Sequence, residues 1–484
     1  ALALAAAAHV DATAQASRGA LAPGTFAVTH VTVVPMTGAG TVLRDATVLV
    51  RDGRIAAVGP AARVRVPAGA RRIDGRGKFL VPGLADMHTH LFSDDSAMAH
   101  DSVAPYELGV MLANGVTATR LMIGTPEQLA LRTAVAEGRV VGPQLWVASP
   151  QLAGRPYDNG IAVTTPEEAR AAVRRVAAEG YDFVKLTLFI PPDVYEAVMD
   201  EAARAGVRVV GHVDTRVGIE RALAAGQPVE HLDAYFEAVL ADSAPSRASL
   251  TQQGVFRLES WRSLDHVDDR KIAAIGGATA RAPGWGKWTS PTLNVFNDAF
   301  AVGPAEAELR ARPEWGMLPP RFRDSYLAGR ARYWSAAAAE VRTPERRRRY
   351  VEVRNALAKA IADSGGKVLA GSDTPEWFHL YGWGLHRELE ALVGAGLSPY
   401  QALEAATRNP AEFLGALSEW GTVEPGKRAD LVLLAADPLA DIRNTARIEG
   451  VSAGGRWLGR PALDAMIRDA AVRLGGSPGP VGGP

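Results

Sequence analysis

Two histidines, His88 and His90, are separated by one residue in the run Asp86-Met87-His88-Thr89-His90. Alternate side chains of a β-strand project to the same face, so both imidazoles can reach one metal ion. A His-x-His pair on its own is weak evidence, because such residues often have core or capping roles. Here the pair follows the apolar run FLVPGL, at the point where a buried strand would end. This position favours a metal site.

Lys185 lies within the apolar run Phe183-Val184-Lys185-Leu186, and it is one of only seven lysines in 484 residues. Burying an ammonium group is costly unless the group is paired or modified, although a lysine near a strand end can extend its charge to solvent. A buried lysine with a lowered pKa can instead react with CO2. The resulting carbamate is an anionic, bidentate group that can bridge two metal ions.

Three further candidate ligands each end a short apolar run: His212 in VVGH, His231 in PVEH and Asp373 in VLAGSD. Taken singly, a histidine there is usually an ordinary polar residue, and an aspartate can cap the following helix. Following the histidine pair and the buried lysine, they predict one metal site with nitrogen and oxygen ligands. The chain has no cysteine, which excludes thiolate ligands, disulfides and a cysteine nucleophile.

Such a site would carry two divalent cations, whose charge would outweigh that of a Lys185 carbamate, Asp373 and a bridging hydroxide. The remaining positive charge would lower the pKa of bound water and polarise a substrate carbonyl. Asp373 could then accept the proton of the attacking water. Ligands without sulfur favour Zn, with Mn, Co or Fe as alternatives.

Eight short apolar runs alternate with Ala-rich helical stretches between residues 79 and 373, and they predict an α/β fold, a (β/α)8 TIM barrel. Five of the six candidate ligands lie at or near the ends of such runs, where the catalytic residues of these barrels cluster, and Lys185 lies within the fourth run. The eight runs are FLVPGLADMHTH, TATRLM, QLWVAS, DFVKLTLF, VRVVGHV, PVEHL, WTSPTLNVF and KVLAGSD.

Short β runs at both ends of the chain flank this region. Residues 26–80 contain apolar runs with turn signals, including Asp52-Gly53, and residues 421–460 contain the runs that would complete the same small β unit.

One connection in the barrel is too long for an ordinary loop, because only one strand is predicted between His231 and Asp373. The excess predicts extra helices, or a cap-like insertion at about residues 241–340. Seven of the ten tryptophans lie between residues 261 and 383. Most should pack these helices, and we expect one or two to line the substrate pocket.

The overall composition excludes some partners. Lys+Arg and Asp+Glu are equal at 53 each, so no nucleic-acid partner is expected, and no uncharged apolar stretch is long enough to span a membrane. Residues 1–20 begin ALALAAAA and contain Ala14-Gln15-Ala16, which predicts a signal-peptide remnant or a disordered end. We therefore expect a periplasmic or secreted protein, with the cytoplasm as the alternative. Residues 471–484 are predicted to be a disordered tail.

In this order, the motifs resemble the amidohydrolase superfamily over nearly the whole chain. FLVPGLADMHTHL is similar to the first-strand motif, and GTVEPGKRADLVLLAADPL is similar to the return to the β unit. GYDFVKL is similar to the fourth-strand motif of one branch of the superfamily, the imidazolonepropionase-like and Xaa-Pro/Xaa-Arg dipeptidase-like enzymes. In that branch the lysine of this motif is carboxylated. Imidazolonepropionase itself is not the expected identity, because that enzyme is similar to a mononuclear type without this lysine.

The resemblance implies a barrel at residues 82–415 beside a β-sandwich built from residues 21–81 and 416–470. It also assigns the ligands of two metal ions. The first metal would be bound by His88, His90, Lys185 and Asp373, and the second by Lys185, His212 and His231.

The predicted function is hydrolysis of amide bonds in dipeptides or N-acyl amino acids, and substrates with bulky aromatic groups are among those considered. Asp373, Lys185 and His231 are the predicted catalytic residues. A metal-bridging hydroxide would attack the carbonyl, and Asp373 would pass the proton to the leaving amine. We expect a homo-oligomer. Residues that could bind a substrate carboxylate are Arg155, Tyr157 and Tyr235.

Two alternatives remain open. The same site could hydrolyse esters, lactones, carbamates or phosphotriesters, because the fold does not fix the substrate. The chain could also be a non-catalytic scaffold, although such relatives usually lose ligands. His386, in the run GLHRELE, is predicted to be structural.

Overall fold

The computed structural model describes residues 24–92, 100–156, 160–242, 244, 258–298 and 303–475. The predicted signal-peptide remnant at residues 1–20 lies outside the described residues. Among those described, no helix has the length and apolar character needed to cross a membrane. The strands are β1 (Phe26–Val33), β2 (Leu43–Arg51), β3 (Arg54–Pro60), β4 (Arg71–Asp74), β5 (Phe79–Pro82), β6 (Leu84–Thr89), β7 (Val116–Leu121), β8 (Gln144–Val147), β9 (Gln151–Ala153), β10 (Gly160–Ala162), β11 (Phe183–Leu186), β12 (Arg208–Gly211), β13 (Val229–Glu230), β14 (Trp288–Ser290), β15 (Lys367–Val368), β16 (Leu431–Leu434), β17 (Ile448–Ala453) and β18 (Arg456–Gly459).

Helices follow most of the central strands. They are α1 (His100–Ala113), α2 (Pro126–Ala136), α3 (Pro166–Ala178), α4 (Pro192–Ala205), α5 (Ile219–Ala224), α6 (Tyr235–Ala238), α7 (Leu258–Ser263), α8 (Asp269–Ala280), α9 (Leu293–Phe296), α10 (Glu306–Ala311), α11 (Pro320–Tyr333), α12 (Ala336–Val341), α13 (Pro344–Asp363), α14 (Trp383–Gly394), α15 (Pro399–Ala405), α16 (Arg408–Phe413) and α17 (Arg460–Leu474). Short 3-10 helices are Leu264–His266, Trp315–Met317 and Ile442–Ala446.

Several helices begin at a Thr-Pro or Ser-Pro pair, which explains where they start. In α3, the Thr165 hydroxyl accepts a hydrogen bond from the Glu168 backbone N–H at 3.2 Å, and Glu168 bonds back to the Thr165 N–H. This capping box satisfies donors that have no partner within the helix, and proline at the next position has a suitable φ. Ser398 and Gln401 make the same arrangement at α15.

A strand forms in each of the eight predicted central runs, and all their ladders are parallel. The ladders are β6-β7-β8, β11-β12 and β13-β14-β15. Single bridges connect Ala148 to Phe183 and Thr89 to Thr374, which link the third strand to the fourth and the eighth to the first. Between β12 and β13, the described residues show no ladder. The fold is therefore TIM-barrel-like.

Both ends of the chain meet in one eight-stranded sheet, with the order β18-β17-β16-β5-β1-β2-β3 and β4 paired with β1. The C-terminal strand β16 runs antiparallel to β5, with Leu433 opposite Leu80. Buried residues on these strands form their own apolar core. The predicted N- and C-terminal β runs thus form one unit, whereas its description as a sandwich stays a prediction.

The predicted start of the disordered tail at residue 471 is too early. Helix α17 continues to Leu474, and Ala470, Ala471 and Leu474 are buried. The helix ends where Gly475 adopts a left-handed conformation with φ of 87°. Apolar packing of the last turn therefore extends the ordered chain into a stretch whose composition suggested disorder.

The long connection between β13 and β15 contains helices α6 to α13 around β14. Aromatic side chains pack these helices together: the Trp261 ring stacks on Tyr350 with centroids 4.8 Å apart, and Trp315 stacks on Phe378 at 6.0 Å. Most tryptophans described here thus have packing roles. The extent of the cap, predicted at residues 241–340, stays a prediction, because residues 243, 245–257 and 299–302 lie outside the described part.

His386 on α14 connects three parts of the fold. Its Nε2–H donates to the Asn114 carbonyl at 3.2 Å, and its Nδ1 lies 3.0 Å from the Thr445 hydroxyl. Burial lowers the pKa of His386 to about 4. The ring is therefore neutral in the folded protein at pH values where it would be charged in the unfolded chain.

This shift predicts a loss of stability in acid. The pKa of a histidine in the unfolded chain is about 6.5. The stabilisation by the neutral, buried His386 ring is therefore complete above that pH. As the pH falls from about 6.5 towards about 4, the free energy of unfolding decreases by about 3 kcal/mol. His386→Gln should be less stable than wild type at pH 7.5, and this difference should shrink at pH 5. Thermal unfolding across this range measures the difference. The exposed His30, changed to Gln, is the control, and a pH-independent difference for His386→Gln would contradict the prediction.

Candidate metal centre

His88, His90 and Asp373 bring their ligand atoms within 4.8 Å of one another. Asp373 Oδ1 lies 3.4 Å from His88 Nε2 and 3.2 Å from His90 Nε2. His88 and His90 come from β6 and its end, and Asp373 follows β15. The backbone aligns these two segments, because the Asp373 N–H donates to the His88 carbonyl at 2.7 Å.

The other two predicted histidines join the same cluster. The rings of His212 and His231 stack with centroids 4.7 Å apart, and the His88 and His231 rings are 4.5 Å apart. Asp373 Oδ2 lies 3.8 Å from His231 Nδ1. Four imidazoles and one carboxylate, from strands widely separated in sequence, therefore converge at the carboxyl ends of the strands.

Lys185 lies near the histidines and Asp373 of this cluster, and its side chain is fully buried in β11. Burial lowers its pKa to about 8, although the nearby carboxylates of Glu230 and Asp373 oppose this shift. A pKa near neutrality leaves a fraction of the side chain as the free amine. The free amine is the form that can react with CO2.

Each of three histidines has a second partner that fixes its ring. Glu230 Oε2 lies 2.8 Å from His88 Nδ1, and Asp233 Oδ2 lies 2.7 Å from His212 Nδ1. The Thr292 hydroxyl lies 2.8 Å from His231 Nδ1. These contacts occupy Nδ1 and leave Nε2 for the centre of the cluster. Partners of this kind commonly orient metal-binding histidines.

Sequence reasoning missed Glu230, because it directly precedes His231 and a regular strand would send the two side chains to opposite faces. Strand β13 ends at Glu230, however, and His231 has a left-handed φ of 61°. This break in strand geometry allows both side chains to reach His88. A carboxylate before a histidine at a strand end was the signal available in the sequence.

Glu230 also pairs with a buried cation. Its Oε1 accepts a hydrogen bond from Arg120 at 2.7 Å, and both side chains are about 1% exposed or less. Burial raises the pKa of Glu230, and the Arg120 charge opposes that rise. Arg120 in turn donates to the Met87 carbonyl at 2.6 Å. The pair therefore connects strands β6, β7 and β13 directly beneath the histidine cluster.

The electrostatics of the cluster suit a cation. Burial lowers the pKa of His88 and of His90, and lowers that of His231 to about 3, so the imidazoles are neutral. Burial alone would raise the pKa of Asp373, but His231, His90 and Lys185 hold it well below its usual range. Neutral imidazole and ionised carboxylate are the forms that bind metals. The donor set thus fits divalent cations, and His90 Nδ1 is a buried atom with no hydrogen-bond partner in the described part of the chain.

Aromatic side chains lie beside the cluster. The Phe296 ring lies 5.4 Å from the His231 ring, and Trp377 packs against the small apolar cluster of Val295 and Phe296. Tyr326, on α11, donates its hydroxyl to the Pro375 carbonyl at 2.8 Å and stacks on Trp377 at 6.0 Å. The predicted contribution of a tryptophan to the pocket is therefore compatible with the position of Trp377.

The two predicted substrate-binding residues that the structure describes, Arg155 and Tyr235, have separate surroundings. Arg155 is exposed, with its guanidinium 3.8 Å from the centre of the Phe189 ring. Tyr157 lies outside the described residues. Tyr235 is buried in the core, and its hydroxyl is 2.8 Å from the Thr279 hydroxyl. This packing leaves no contact through which Tyr235 would read a substrate carboxylate, so it has no part in the function proposed below.

Comparison with known proteins extends over most of the chain. An imidazolonepropionase of Ralstonia nicotianae is 26% identical over 408 residues, covering 83% of this chain and 88% of that protein. Among solved structures, the bottromycin amidohydrolase AH has a TM-score of 0.72 at 25% sequence identity. The match covers 95% of this chain and 92% of that chain. A provisionally assigned prolidase of Bifidobacterium longum has a TM-score of 0.67 at 28% identity, covering 93% and 99%.

The sequence model of the amidohydrolase family matches residues 79–458, which include every predicted metal ligand and the strands that position them. These relatives and structural neighbours support a hydrolase acting on carbon–nitrogen bonds. The chain belongs to the amidohydrolase family.

Proposed function

We propose that this protein is a binuclear metal-dependent amidohydrolase that cleaves amide bonds of dipeptides or N-acyl amino acids with bulky aromatic groups. The observation that carries the proposal is the convergence of His88, His90, His212, His231 and Asp373 around the buried Lys185. The relatives described as an amidohydrolase and a prolidase favour amide substrates. The aromatic side chains beside the cluster favour bulky side chains in the substrate.

Divalent cations, which we propose to be zinc, would supply an activated water and polarise the scissile carbonyl. His88 and His90 would hold one cation with Asp373, and His212 and His231 the other. Lys185, as a carbamate, would provide an oxygen to each. Glu230, Asp233 and Thr292 would keep the three rings oriented.

Asp373 is the group placed to move the proton. Its carboxylate stays ionised, and it lies beside both the first-strand histidines and His231. We propose that it accepts the proton of the attacking water and returns it to the nitrogen of the departing amine. His231, fixed by Thr292 and neutral, stays next to this carboxylate throughout.

A substrate panel tests the proposal. Zinc-loaded protein should hydrolyse dipeptides and N-acyl amino acids with aromatic side chains faster than matched aryl esters. Efficient hydrolysis of the esters, with no hydrolysis of any amide in the panel, would favour an esterase or lactonase function instead. Two metal equivalents per chain are expected, and well under one equivalent after growth with added metal would favour a non-catalytic scaffold.

Removal of the metal gives a second expected result. Treatment with a chelator should lower the rate by on the order of a hundredfold or more, because activation of water and polarisation of the carbonyl are each worth several kcal/mol. Re-addition of zinc should restore the rate, measured with the best amide of the panel. A rate that the chelator leaves unchanged would rule out metal-assisted hydrolysis.

The N-terminal composition supports the proposal that the protein is exported.

A further inference from the structure

Arg354 is a buried cation of the long connection that contacts the carboxyl ends of two central strands. It lies on α13 and is only 7% exposed. Its Nη1–H donates to the His231 carbonyl at 3.0 Å, and its Nη2–H donates to the Pro291 carbonyl at 2.8 Å. One guanidinium group therefore connects a predicted metal ligand, at the end of the sixth central strand, to the segment that follows the seventh.

These two carbonyls lie directly beyond the parallel ladder of β13 and β14. Glu230 and Ser290 are the last pair of that ladder, and the His231 N–H donates to the Ser290 carbonyl at 2.9 Å. The next carbonyl along each strand, that of His231 or of Pro291, accepts a hydrogen bond from Arg354. The guanidinium group thus fixes the spacing of the two strand ends beyond their last ladder pair.

This spacing matters because both segments leave regular strand geometry at the same level. His231 has a left-handed φ of 61°, and Thr292 has one of 45°. Such conformations are unfavourable for residues with a Cβ and persist where surrounding contacts maintain them. The Thr292 hydroxyl lies 2.8 Å from His231 Nδ1. The orientation of the His231 ring therefore depends on how the two segments lie relative to each other, which the hydrogen bonds of Arg354 set.

A guanidinium group suits this position better than an ammonium group. Its nitrogens form a rigid planar fork that donates to two acceptors at once. Burial of a charge is costly unless hydrogen bonds compensate for it, and the carbonyls of the two strand ends supply this compensation. The guanidinium carbon of Arg354 also lies 4.3 Å from the centre of the Phe296 ring, which is next to His231. The arginine is therefore packed in one place against both segments.

We infer that Arg354 is a positioning residue of the metal centre, which holds the His231 ring in the orientation needed to bind the second cation, the one assigned to Lys185, His212 and His231. The inference rests on the proposed function for the presence of that cation. It goes further by making helix α13 of the long connection a functional part of the metal centre. Arg354 acts through the backbone of the two strand ends and not as a ligand.

Titration of metal-free protein with cobalt, followed by visible absorption in buffer that contains bicarbonate, tests the inference without requiring turnover. Wild type should bind two equivalents. Arg354→Met should bind the first as wild type does and the second about 10- to 100-fold more weakly, the loss typical when a group that orients a metal-binding histidine is removed. Arg354→Lys keeps the charge but donates from a single nitrogen, so it should recover only part of the affinity. It also provides the comparison if Arg354→Met does not fold.

Arg342→Met is the matched control, because it removes another buried guanidinium group of the long connection. Arg342 donates to the Tyr333 carbonyl and lies 3.5 Å from the centre of the Tyr333 ring. This variant should bind both cations as wild type does. Thr292→Val, which removes the hydroxyl beside His231, should weaken the second cation. Because Arg354 and Thr292 act on one ring, the double variant should be no weaker than the more severe single variant.

Hydrogen exchange of the metal-free protein, measured by mass spectrometry, reports on the strand ends directly. In Arg354→Met, peptides that contain the His231 and Thr292 amides should exchange on the order of tenfold faster, because the hydrogen bonds that join the two segments are lost. Peptides from β11 and β12 should keep wild-type rates. This measurement needs neither metal nor substrate.

Four results would overturn the inference: wild-type affinity for both cations in folded Arg354→Met, an equal loss of affinity in Arg342→Met, a loss in the double variant equal to the product of the two single losses, or unchanged exchange at the strand ends. Failure of the proposed function is distinguishable. A wild-type protein that binds two cations but cleaves no amide would contradict the proposed function, while cobalt affinity and exchange rates would still decide the role of Arg354.

Discussion

Replacing Lys185 with alanine is expected to lower kcat/KM on the order of a thousandfold, because the ligand shared by both proposed cations is lost. Polarisation by metal is worth several kcal/mol, and each 1.36 kcal/mol is a factor of ten in rate. The fold should survive, since the buried side chain of Lys185 is charged both as the ammonium and as the carbamate, and its removal relieves a desolvation penalty. Activity, metal content and thermal unfolding of the purified variant measure these three expectations.

Chemical rescue makes the Lys185 result specific for the carbamate. Alanine leaves space in β11, so acetate or propionate should restore part of the activity by supplying the missing carboxylate. Lys185→Met is the matched variant, because its side chain fills the same space and leaves no room for an added acid. Lys367→Ala, in the last central strand and with its amine 3.4 Å from Glu412, controls for loss of a lysine elsewhere in the barrel. Unchanged turnover in Lys185→Ala, or equal rescue of both Lys185 variants, would refute the carbamate.

Replacing Glu230 with glutamine is expected to lower both stability and metal affinity. The change leaves Arg120 buried without its carboxylate, and breaking a buried ion pair by removing one partner costs about 3–5 kcal/mol. It also weakens the contact that orients His88, and the loss of such a partner typically lowers metal affinity about 10- to 100-fold. Chemical denaturation and competition with a metal indicator measure the two effects separately.

A double variant separates these two roles of Glu230. Arg120→Met combined with Glu230→Gln removes both buried charges, so most of the stability should return while metal affinity stays low. Glu419→Gln, which breaks the exposed pair with Arg54, should cost ~1 kcal/mol or less and leave metal affinity unchanged. Wild-type metal affinity in Glu230→Gln would show that the His88 ring is held without this contact.

The candidate metal ligands could be identified in the sequence because each lies where a simple rule applies. The period of two along a strand put His88 and His90 on one face, and the rarity of lysine made Lys185 conspicuous in its apolar run. Short apolar runs alternating with Ala-rich stretches identified the central strands, and β runs at both ends identified the shared sheet. These rules depend only on neighbours along the chain.

The pocket around the ligands could not be predicted in the same way. Arg155, Tyr157 and Tyr235 were chosen from their place after a strand, but Tyr235 faces Thr279 in the core and Arg155 lies over Phe189. The direction of a loop side chain depends on what packs above it, which no local pattern encodes.

The sequence alone thus determined the candidate donor residues and the strands that carry them, because both follow from residue type and strand periodicity. Only the tertiary structure decided which groups orient those donors. Glu230 contacts His88 because His231 leaves the strand conformation directly after it. Such conformations are locally unfavourable and persist only where distant packing compensates for them.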